Sequence, residues 1–121
     1  MVAWLAERLP EVRVCTKLPA AERLREELPV VRVRRAPGGQ STHAGETTVL
    51  FELDALDTDP EVVWATTRAA TEELVALSTR FYQNVLVDDV RLHSGPGQAT
   101  HPDPELYRTF QIVRLASRSD G

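Results

Sequence analysis

The residues able to do chemistry are few and poorly placed for it. The histidines are His43, His93 and His101, and no two stand at the i, i+2 or i, i+4 spacing that presents paired metal ligands from a strand or helix. His43 and His101 fall in expected loops. Cys15 is the single cysteine, which excludes an intrachain disulfide and a cysteine zinc cluster. It sits on a short expected strand with no basic partner nearby, so it reads as a structural thiol rather than a nucleophile. Asp88 and Asp89 are adjacent on a strand and face opposite sides, so they cannot flank one substrate as an acid/base pair. His101 and Asp103 form a dyad only if a loop folds them together. The run APGGQS lacks the lysine and following helix of a phosphate-binding loop, and GPG (Gly95–Gly97) reads as a turn. No catalytic residue, cofactor or metal is expected, and the chain is not expected to be an enzyme.

The bulk properties agree with a packed structural domain. A chain of 121 residues fits one domain over 1–121, large enough to bury roughly 65% of its unfolded surface around a single core. The net charge is −4 and the pI near 5.3, so there is no general basic signal for gripping nucleic acid. The opening MVAWLAERLP is too short and too charged for a secretory signal, and no apolar run approaches membrane-spanning length. An intracellular origin is the expectation.

The elements that position these residues follow from periodicity and from proline. Val2–Leu9 has helical spacing and stops at Pro10. Val12–Thr16 alternates as a short strand. Two prolines, Pro19 and Pro29, bracket a short helix over Ala20–Leu28. Val30–Ala36 is a strand, with Val31 and Val33 on one face and Arg32 and Arg34 on the other. Pro37-Gly38-Gly39 and a polar run then read as a loose loop. Thr47–Leu56 alternates again, with Val49, Phe51, Leu53 and Ala55 inward and Glu52 and Asp54 outward. That arm would be about 34 Å long, more than a small core needs. Asp59 as cap and Pro60 at the first helical position open a long helix over Asp59–Thr79. Val85–Gly95 is a strand with a bulge near Asp88-Asp89, where the apolar face changes phase. A second loop precedes the last strand, Leu106–Ser117, whose two apolar faces imply a central or interfacial position. The expected fold class is α+β: a single, mostly antiparallel sheet of about four to five strands with a long hairpin. One long and two short helices pack on one face.

The positive signals concern assembly. Arg32, Arg34 and Arg35 lead to the hairpin tip, either as a solvated strand face or as ion-pair partners for a neighbouring subunit. Glu52 and Asp54 line the other arm. Trp64, near Arg68 on the outer helix face, is either a capped surface residue or an interface aromatic. The stretches Gly38–Glu46 and Gly95–Glu105 are long loops for so small a domain, and such loops often carry binding.

The order of motifs resembles the tail terminator, or tail completion, family of long-tailed, siphovirus-type phages of actinobacteria, over nearly the whole chain. AWL near the start leads to VRVCTKLPA, a second LP and VVRVRRAPGG. Then come VLFELDAL, a helix closing on LVAL, VDDVRLHSGP with its Gly-Pro turn, and YRTFQIVRLAS. The resemblance implies a structural ring, usually a hexamer, on the head-proximal end of the tail tube. Such a ring stops tube polymerisation and offers the head-joining surface. Its implied partners are further copies of itself, the major tail tube protein, the head–tail connector or stopper, and the tape-measure protein as a further contact. Arg32, Arg34, Arg35, Glu52, Asp54, Trp64 and Arg68 become candidate subunit contacts. Gly38, Gly39, His43, Gly95, Pro96 and His101 become candidate contacts to tube or connector. DNA would pass through an acidic ring without specific binding, and no membrane is involved. The place of action is the virion tail after assembly in the host cytoplasm. The alternatives are another head–tail joining protein, such as a stopper or adaptor, and a small ligand-binding α+β domain.

Overall fold

Four strands longer than a small core requires dominate the structure. The computed structural model describes residues 1–43, 45–83 and 85–119, without the side chains of 37–40, 43 and 119. The elements run α1 (Val2–Arg8), β1 (Arg13–Cys15), α2 (Ala21–Leu24), β2 (Val30–His43), β3 (Glu46–Asp57), α3 (Pro60–Val75), β4 (Arg80–Tyr82), β5 (Val85–Ala99) and β6 (Tyr107–Ser119). One six-stranded sheet has the order β1-β2-β3-β6-β5-β4. The short β1 lies parallel to β2, and the other described pairs are antiparallel.

The expectation of four to five strands was one short. The extra strand is β4, whose three residues are too few to show a period. The phase change near Asp88 is a register shift between Val87 and Asp89, as the alternation implied. Most of the first expected loop and the start of the second are strand. β2 continues through Gly38 and Gly39 after an irregularity between Arg35 and Gln40, and pairs His43 with Glu46. β5 continues through Gly95-Pro96-Gly97 with register shifts around Ser94. Sheets tolerate proline and glycine at such bulges and edges, so breakers that usually end a strand here only bend it. Gly95 is needed as glycine: its φ is +84°, and an added Cβ would lie 2.8 Å from the Phe110 carbonyl oxygen.

Helix α3 forms where Asp59 caps it, accepting from the Glu61 amide at 2.9 Å, with Pro60 behind the cap. It buries Val63, Thr66, Thr67, Ala70 and Leu74 against the sheet. It ends at Val75 rather than Thr79. Thr79 takes a φ of +66° and donates its amide to the Val87 carbonyl at 2.7 Å, which turns the chain into β4. In α1 the buried residues are Trp4 and Leu5. The Trp4 indole donates to the Glu73 carbonyl at 2.7 Å, and its ring meets Tyr82 edge-on. That bond satisfies the one polar group the burial of a tryptophan strands.

The core on the α1/α3 side of the sheet joins Leu5, Val31, Val33, Leu53, Val63, Leu74, Leu77, Val87, Val90 and Val113. Full burial of each such side chain contributes roughly 1.5–3 kcal/mol. A second cluster of Leu24, Val30 and Leu106, with Cys15, Leu18 and Leu28 against it, sits apart. Val30 and Val31 point to opposite faces of β2. The α2 segment therefore covers the lower part of the opposite face, not the same face as the other helices. It is also only Ala21–Leu24, shorter than the expected Ala20–Leu28. The end of β3, Leu53–Asp57, is buried on both sides.

Candidate assembly surfaces

The face of the sheet turned away from α3 carries a ladder of charges above the α2 cover. Register sets it out. Arg32 stands opposite Asp54 and Arg34 opposite Glu52, while Asp54 stands opposite Phe110 and Glu52 opposite Ile112. These residues share one side of their strands. Asp54 is 1% exposed and lies between two guanidiniums. Arg108 donates to its Oδ1 through Nη2 at 2.7 Å and Nε at 2.8 Å, and Arg32 donates to its Oδ2. The Arg108 guanidinium also lies 5.8 Å from the Phe110 ring centroid. Arg34 Nε donates to Glu52 Oε2 at 2.6 Å in a pair whose arginine is half exposed.

Further up, Arg118 Nε donates to Asp88 at 2.9 Å, and Arg114 reaches Asp89 at 3.9 Å and the Thr48 hydroxyl at 3.4 Å. Glu46 and Asp88 share a side-chain hydrogen bond, which pushes the Glu46 carboxyl up. The same bond lowers Asp88, with Arg118 adding to the effect.

Arg32, Arg34, Glu52 and Asp54 thus converge on one face, as expected, and all four are paired within the chain. Arg35 stands on the other side of β2, opposite Phe51. Trp64 and Arg68 do share a surface. With Pro60, Glu61 and Ala65 they line a shallow depression of about 550 Å³ on the outer side of α3. Beside it, across Ala65, a second depression of about 320 Å³ is lined by Leu9, Pro10, Val12 and Ala69 among others.

The candidate loop residues are not brought together. Gly38, Gly39 and His43 belong to the upper arm of β2, and their side chains lie outside the described residues. Gly95 and Pro96 belong to the exposed lower half of β5. His101 lies in the connection to β6, where its Nδ1 accepts from the Asp103 amide at 3.0 Å. Asp103 is held below the usual carboxylate range by the Glu105 amide and by Arg25.

Sequence reasoning missed Arg108, Arg114 and Arg118. They sit at even spacings along β6, and a search for like residues on one strand face would have found them. Cys15 is half buried, and burial pushes its thiol up. Among the described residues no three of His, Cys, Asp or Glu are grouped to hold a metal. The surfaces the chain offers are charged strands and shallow depressions.

No family model matches the chain. No curated protein matches it in sequence. Among solved structures, it is similar in fold to a chain of the virion of a native gene transfer agent particle. The match has a TM-score of 0.61 at 10% identity and covers 98% of this chain and 84% of that one. At that identity the likeness is one of fold.

Proposed function

We propose that the chain is a structural protein of a virion, and that within it the chain is a tail terminator. Copies form a closed ring on the head-proximal end of the tail tube, stop tube growth and offer the surface to which the head connector joins. The role is mechanical and involves no catalysis by this chain. The observation that carries the reading is the likeness, along almost the whole chain, to the fold of a protein from a virion particle. The order of sequence motifs points the same way. So does the sheet, whose arms run beyond the part the helices cover. Free subunits can remain monomeric, because ordering exposed arms on assembly subtracts from the binding free energy.

Cryo-electron microscopy of tailed particles tests this. A ring of this fold should sit between the tube and the head connector. A single copy or an isolated dimer there, or a position elsewhere in the particle, would refute it. A position on the head side would favour a stopper role.

A further inference from the structure

The sheet has two long uncovered edges. β1 pairs only with Val30–Arg32 of β2, and β4 only with Val85–Val87 of β5. Among the described residues the outer edge of β2 from Val33 to His43, and that of β5 from Asp88 to Ala99, have no neighbouring strand. Long open edges present backbone donors and acceptors that template a further strand. These two lie on opposite sides of the sheet, so a contact between them joins different surfaces of two copies and propagates head to tail.

Strand direction favours that contact. β2, β3, β6 and β5 alternate in direction across the sheet. A copy rotated about an axis running along the strands places its β5 beside the first copy's β2, and the two run antiparallel. The alternation then continues around a closed ring.

We propose that neighbouring copies join by antiparallel pairing of the β2 edge of one with the β5 edge of the next. The inference rests on the ring reading above and names the contact that closes it. The short strands also fix a register. β1 ends with Cys15 opposite Arg32, at the level of Phe110 on β6, whereas Ala99 lies lower, at the level of Arg108. The neighbour must therefore be staggered along the strand direction to clear β1, which a closed ring accommodates by tilting its strands against the ring axis. A rise by an odd number of residues would turn its side chains to the wrong face, so the smallest allowed stagger is about four residues, roughly 14 Å. Closed barrels require such a stagger. It sets Ala99 of one copy opposite Arg34 of the next and lifts β4 past the hairpin tip. The bulges of the two edges then fall at nearly the same height.

The test is covalent capture together with hydrogen exchange. Full-length protein carrying Cys15→Ser, Arg34→Cys and Ala99→Cys, assembled into rings on tails and oxidised, should give a ladder of linked copies. Either cysteine alone should give none. In the unsubstituted protein, amides of Val33–Ala36 and Gln98–Ala99 should exchange at least about tenfold more slowly in the ring than in the free subunit, as newly paired backbone does. Rings that form with no ladder and no slowing overturn the edge contact and leave the tail role standing. A linked dimer from Ala99→Cys alone sets β5 against β5 and overturns it as well. A protein monomeric even on tails overturns the ring reading and this contact with it.

Discussion

Asp54→Asn should cost more stability than any other single charge removal on the sheet. The carboxylate is 1% exposed and accepts from both Arg32 and Arg108. Removing one member of a buried ion group leaves the others uncompensated, which typically costs about 3–5 kcal/mol. Arg32 is 18% and Arg108 26% exposed, so water recovers part of the lost solvation, and the lower end, about 3 kcal/mol, applies. At a urea dependence of about 2 kcal/mol per molar, the unfolding midpoint should fall by about 1.5 M. Glu52→Gln is the control. Its partner Arg34 is 51% exposed, so that change should cost under about 1 kcal/mol. The triple replacement Arg32→Met, Asp54→Leu, Arg108→Met should recover much of the loss, because an apolar cluster needs no charge balance. Equal midpoints for Asp54→Asn and Glu52→Gln would refute the claim that this ladder is anchored by one buried carboxylate.

Other substitutions read other parts of the structure. Thr67 and Thr109 share a buried hydroxyl contact at 2.6 Å while Thr67 donates to the Val63 carbonyl. Thr67→Val should therefore cost about 1–3 kcal/mol in urea unfolding, and adding Thr109→Val should return most of it. Gly95→Ala should destabilise well beyond Gly45→Ala. Both glycines have positive φ, but only at Gly95 does an added Cβ meet backbone, so the gap between their melting temperatures measures that collision. Asp103, with its carboxyl lowered in the folded state, contributes stability that is present above the ordinary carboxylate range and lost as pH falls through the lowered value. Asp103→Asn should remove that acid-side loss from a pH series of unfolding midpoints. The Cys15 thiol, raised by burial, should react with a thiol reagent at pH 8 more slowly than free cysteine, and Cys15→Ser should fold and assemble like the parent.

The parts of the fold legible from sequence were those set by one dominant local term. Alternation located β3 and β6, and of the two positions the apolar faces of β6 implied, central or interfacial, the strand takes the central one, between β3 and β5. Asp59-Pro60 located the start of α3 because a cap and a fixed φ act within one turn. Its end was misread because a tertiary hydrogen bond from Thr79 turns the chain there. The reach of β2 and β5 was hidden for a related reason. Pro37 and Gly95-Pro96 are strand breakers locally, and only pairing with β3 and β6 carries the strands past them. In the candidate surface, Arg32, Arg34, Glu52 and Asp54 could be assigned a shared face by their period of two. That Asp54 is buried under Arg108 could not, because the contact spans 54 residues of sequence.

Tail length measures directly whether this chain caps a growing tail tube, as proposed. Without a terminator the upper end of the tube stays open to further subunits. Deleting the gene from its particle-producing host and imaging the lysate by electron microscopy should give tails of uncontrolled, often excessive length, unattached to heads. Restoring the chain should return uniform tails joined to heads. Tails of normal, uniform length beside heads that lose their DNA would contradict the terminator role and assign the chain to the head side of the joint.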